Sequence, residues 1–210
     1  MADSSITTGD IEITLPEGSE DKIEIVELEV GTELAITSPI KEVEVTVSGD
    51  SVLVGKPVID STVSVEAASN KETVELVLKT NSFKKSDIVV DKGAASIDVT
   101  VGTFKKSTVT TGKKSDSVTF GNQTTVNKAT LELGKGSDTV TFKSGTKFKG
   151  KSTIDLGKGG ADSVIIEGDA KKLTVDNFSR KDSISVAGET FDYKDIKNGA
   201  EVPGVKVNLA

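Results

Sequence analysis

Cysteine, histidine and tryptophan are missing from this chain of 210 residues, and tyrosine and methionine occur once each. Without cysteine there are no disulfides and no thiol nucleophile. Without histidine the commonest general base and most zinc sites are gone. Arginine occurs once, at Arg180, beside 25 lysines. Arginine is the usual residue for bidentate contacts to phosphates and bases, and the net charge of −7 opposes nucleic-acid binding. No run approaches the ~18 apolar residues of a membrane-spanning helix. Met1–Asp21 is polar and acidic, so no conventional secretory signal is expected. Carboxylate pairs can cleave glycosides, but such enzymes use aromatic-lined clefts and long loops. Only eight aromatic residues occur here. No catalytic residues and no enzyme activity are expected.

What is present is a repeat. Leu131–Phe142 reads L-E-L-G-K-G-S-D-T-V-T-F, and Val109–Phe120 reads V-T-T-G-K-K-S-D-S-V-T-F. Ile154–Ile166 repeats it with one residue inserted, and Leu173–Val186 keeps the apolar pairs and the aspartate without the glycines. The turn begins at Asp91, Gly112, Gly134 and Gly157, giving steps of 21, 22 and 23. Phe83, Phe104, Val126 and Phe148 keep a matching rhythm, and lysines follow the first two (Phe83-Lys-Lys-Ser86, Phe104-Lys-Lys-Ser107). A period of this length signals a solenoid, in which each unit buries its apolar side only against the next.

Within each repeat the apolar residues alternate, as in Leu131/Leu133 and Val140/Phe142, and β-branched residues dominate. Alternation places each pair on one face of a strand. The expected fold is all-β, a parallel solenoid or β-roll with two short strands per coil of about 22 residues. Its inward columns are Val109/Leu131/Ile154/Leu173 and Val118/Val140/Val164/Ile184. About seven coils stacked ~4.8 Å apart make a rod of roughly 35 Å. Phe83, Phe104 and Phe148 are expected to fill one corner of the core rather than to form a stacking platform for a ligand. Residues 1–38 read as an arm (Met1–Gly9) and an acidic β segment (strands at Asp10–Leu15 and Ile23–Val30). Residues 39–190 read as the solenoid and 191–210 as a cap.

Gly134-Lys-Gly136-Ser-Asp138-Thr-Val140 resembles the hemolysin-type (RTX) calcium-binding repeat. Asp176-Asn-Phe-Ser and Lys181-Asp-Ser-Ile-Ser-Val186 are similar to the segment that often closes such arrays. The resemblance covers roughly Ile88 to Tyr193. It implies Ca²⁺ held by Gly134, Gly136, Asp138, Gly157, Gly159 and Asp162, with Asp116 and Asp182 in the same column. The residues themselves leave two other readings open. Lys113, Lys135, Lys158 and Lys181 could pair with the aspartates, or the aspartates could accept backbone N–H groups in the turns.

Charge is uneven. Residues 1–50 hold 13 acidic residues and two lysines, whereas the remaining 160 hold 20 acidic and 24 basic residues. An acidic head and a basic body suit docking within a protein assembly, a capsid or surface layer, or self-association. A small rigid rod without an export signal suggests a structural virion component, such as a decoration, cement or appendage protein of a bacteriophage. The Lys-rich, Cys-free composition is similar to that of marine phage proteins. A calcium-binding protein exported through a C-terminal signal to the cell surface is the alternative, and a carbohydrate-binding adhesion module the third.

Overall fold

The computed structural model describes residues 11–13, 32–36, 40–41, 44–47, 50–67, 73–168 and 170–210. The arm at Met1–Gly9 and the strand expected at Ile23–Val30 lie outside these. The described chain is a parallel β-solenoid. Sheet A has ten strands, from Ile11–Ile13 to Glu189–Asp192. Sheet B has eight, from Glu44–Val47 to Val205–Leu209. A third sheet, C, has six short strands, from Ile40–Lys41 to Lys147–Phe148. The chain visits A, C and B in turn, so six coils carry all three strands. The two expected strands per coil are those of sheets A and B. The short strand of sheet C is the part the alternation does not announce, because it points only one large side chain inward. Strands Ile11–Ile13 and Thr32–Ile36 of the N-terminal segment join the same long sheet in parallel register.

Like sits over like. Ile97, Val118, Val140, Val164 and Ile184 form one column of sheet A. Ile88, Val109, Leu131, Ile154 and Val175 form the column of sheet B. The last member is Val175 and not Leu173, which stacks on Ser152. The coil between Ile166 and Leu173 lacks a sheet-C strand, so counting residues from the coil before it is offset by two. In sheet C, Phe83 lies over Val58, Phe104 over Phe83, and Phe148 over Val126. Phe83 and Phe104 stack at 5.3 Å and Phe120 and Phe142 at 5.0 Å, with Phe104–Phe120 and Phe142–Phe148 edge-on. Phe83 and Phe104 are fully buried core, and Phe148 packs half-buried against it. Each fully buried ring contributes about 1.5–3 kcal/mol by burial alone.

The C-terminal end is closed by a change of direction. Glu189–Asp192 turns back antiparallel on Ser183–Val186. A short helix, Tyr193–Lys197, follows. Asp192 caps it, accepting from the N–H groups of Lys194 and Asp195 at 2.7 and 3.0 Å. Val205–Leu209 then ends sheet B in parallel register.

Candidate functional site

The aspartates that the resemblance marks stand at the corner where sheet B turns into sheet A. Each immediately precedes the first outward residue of a sheet-A strand, so strand register stacks Asp116, Asp138, Asp162 and Asp182 one coil apart. All four are buried, between 1% and 4% exposed. Their Oδ1 atoms make a ladder along the rod. Asp116 accepts the N–H of Ala95 at 2.7 Å, and Asp138 accepts that of Asp116 at 2.7 Å. Asp162 accepts that of Asp138 at 2.8 Å, and Asp182 that of Asp162 at 2.9 Å. The second oxygen of Asp116 accepts from Gly112 N–H, and that of Asp182 from Ser179 N–H. The buried Oδ2 of Asp138 has no partner.

This is the third of the three readings: carboxylates satisfying the backbone. Among the described residues no ion pair joins Lys113, Lys135, Lys158 or Lys181 to the column. The turns stack so closely that their own oxygens are engaged too. Gly112 C=O accepts Lys135 N–H at 2.9 Å, and Gly134 C=O accepts Lys158 N–H at 3.3 Å. A Cβ on Gly134 would lie 1.9 Å from Gly112 O, one on Gly136 2.2 Å from Lys114 O, and one on Gly157 2.0 Å from Leu133 O. These glycines let one turn rest on the next. Gly159 is different: a Cβ there would meet nothing within 4 Å, and only its φ of +107° favours glycine. Ca²⁺ takes six to eight oxygens. Here the Oδ1 atoms of the column and the carbonyls of Gly112 and Gly134 hold coils together, and among the described residues no three acidic side chains converge.

Electrostatics follow from the burial. Desolvation pushes the Asp138 carboxyl up to about 6, against the N–H of Asp116, which lowers it, while the charge of Asp116 adds to the rise. Desolvation likewise pushes Asp162 up to about 6, with the charges of Asp182 and Asp138 adding to it and the N–H of Asp138 opposing. Asp116 is raised by burial and held down by the N–H groups of Ala95 and Gly112.

No family model, curated protein or solved structure matches this chain.

The other two corners are built on the same plan with different residues. Between sheets C and B, Ser61 N–H donates to Ser86 Oγ at 3.1 Å, Ser86 N–H to Ser107 Oγ at 3.2 Å, and Ala129 N–H to Ser152 Oγ at 3.2 Å. Each of the Ser61, Ser86 and Ser107 hydroxyls donates to the carbonyl two residues earlier. Between sheets A and C, Thr124 Oγ donates to Val99 C=O at 3.3 Å, and Thr146 Oγ to Phe120 C=O at 3.4 Å. The Lys-Lys-Ser motif is thereby explained: serine inward on the ladder, lysines outward at the corner. Sequence spacing predicts an outward lysine stripe at Lys84-Lys85, Lys105-Lys106, Lys147 and Lys149. It misses Lys128, Lys151 and Lys172, which carry it on without the Phe-Lys-Lys context. The available signal was the lysine two residues before each outward residue that opens a sheet-B strand.

Proposed function

We propose that this protein is a structural, non-catalytic rod that serves as a building block or spacer in a larger assembly, in its specific form a virion decoration, cement or appendage protein. The observation that carries this reading is the continuity of the interior. Among the described residues the buried core runs from Val45 to Val205 without a break, and each corner carries its own buried polar ladder. Such a rod transmits force and holds distance. Its outward positions are mostly Thr, Ser, Lys and Asp, and its corner aspartates are committed to the backbone. The uneven charge supports docking by one end.

The test is mass spectrometry of density-purified particles from a culture producing the protein. A fixed stoichiometric ratio to the major shell protein is expected. Recovery solely as free protein or in cell envelopes of particle-free cultures would reject the virion form, and the envelope result would still leave a structural rod. Small-angle scattering of the pure chain checks the rod itself: a profile of a compact sphere would reject both.

A further inference from the structure

One corner of the rod carries more charge than its fold needs. Strand register aligns Thr62, Asp87, Thr108, Thr130, Thr153 and Thr174 in one outward column of sheet B. Two residues before each of the last five stands a lysine: Lys85, Lys106, Lys128, Lys151 and Lys172. Asp60 holds the corresponding place in the first. All five lysines are exposed. Their backbones make a ridge with one lysine per coil, about 4.8 Å apart and so about 19 Å long, in which Lys172 Nζ donates to Lys149 C=O at 3.2 Å. Lys84, Lys105 and Lys149 flank it on sheet C or just past its strand.

Three features say that the ridge is more than solubilising charge. First, four of these lysines occupy left-handed backbone, with φ of 47° at Lys85, 51° at Lys106, 56° at Lys128 and 63° at Lys172. Glycine or asparagine takes that conformation more readily. Second, stacked like charges repel, and only Lys85 has a carboxylate partner, Asp60 at 3.4 Å. Among the described residues, Lys106, Lys128 and Lys151 have none. Third, lysine often guards the open edges of sheets, but this ridge is a corner between two sheets and lies along the rod, away from the terminal strands.

We infer that this ridge is a docking surface for a linear anionic polysaccharide bearing one carboxylate or sulfate per sugar. The inference does not depend on the virion reading. A pyranose residue advances its chain by close to the distance between coils, so a chain laid along the ridge keeps acidic groups within reach of the flexible lysine side chains over its whole length. Lysine supplies point charges, which suit carboxylates and sulfates without demanding a bidentate fit. Nucleic acid fits less well. The ridge has no arginine, and the neighbouring Phe83 and Phe104 point into the core, leaving no platform on which a base could stack. A membrane surface fits less well too, since Leu209, on the terminal strand, is the one exposed large apolar residue among those described.

The experiment is calorimetric titration of the full chain with polygalacturonate at low salt, with dextran as the uncharged control and oligothymidylate as the nucleic-acid control. Binding to polygalacturonate alone is expected, weakening about tenfold or more between 50 and 300 mM salt. The triple variant K106Q/K128Q/K151Q should lose binding by about tenfold or more while keeping its β spectrum and melting temperature. A second triple, K113Q/K135Q/K158Q, removes equal charge from the corner between sheets B and A and should bind within about twofold of the natural chain. No binding at 50 mM salt, equal loss in both triples, or tighter binding of oligothymidylate would each overturn the proposal. Salt-sensitive self-association that disappears in the first triple would also overturn it, and would assign the ridge to the acidic head of a neighbouring copy.

Discussion

A buried carboxylate that accepts one N–H with each oxygen is well provided for. Asp138 is not, because one of its oxygens has no donor at all. Its carboxyl and that of Asp162 sit near 6 in the folded chain, above an ordinary value of 3.8. Folding therefore takes up protons between those limits, and the stability this confers is present below pH 3.8 and lost as pH rises through about 6. Scanning calorimetry should show the melting temperature rising as pH falls from 7.5 to 5, by an effect on the order of 1 kcal/mol per group. Asp138→Asn keeps the acceptor for Asp116 N–H and should shrink that rise. Asp138→Ala orphans the same N–H and should cost about 1–3 kcal/mol at any pH. A melting temperature that is flat from pH 5 to 7.5 would contradict the buried, charged ladder.

At the scale of the element, the glycine turn shows how one motif can serve two purposes. In a calcium-binding roll its carbonyls face an ion; here they face the next turn. Thermal melts with EDTA and then with millimolar Ca²⁺ should coincide within a degree or two, and a calcium-dependent rise in melting temperature would refute the geometry. The glycines should rank by what a methyl group would strike. Gly134→Ala drives a Cβ to 1.9 Å from a backbone oxygen. It should cost several times more than Gly159→Ala, whose penalty is conformational, about 1–2 kcal/mol. Denaturant titration of the two variants separates them. The GxGxD spacing makes the turn legible from sequence but does not say what fills it, because an ion and a neighbouring coil demand the same small residue.

For the whole molecule, stability is a sum over contacts between adjacent coils. Phe104 packs on Phe83 below and Phe120 beside it. Phe104→Ala should cost about 3–5 kcal/mol. In a stacked array the damage stays local, so hydrogen exchange should rise first in the coils from Phe83 to Phe120 and last near the C-terminal cap. Uniform loss of protection along the rod would mean that the coils unfold as one unit.

The 21- to 23-residue period, the alternation of Val, Ile and Leu, and the absence of cysteine and histidine were enough to set the parallel stack of sheets A and B and the inward phenylalanines. Those features are local, and every repeat restates them. Three matters were decided only by the folded chain. The third sheet is made of strands too short to alternate. Val175, rather than Leu173, completes its column because one coil omits a strand. The role of the aspartates turned on which donor came nearest, and a backbone N–H carried in by the preceding coil, 20 to 24 residues away along the chain, reached each carboxylate first. Distances of that kind are set by how coils stack, and no spacing along the chain contains them.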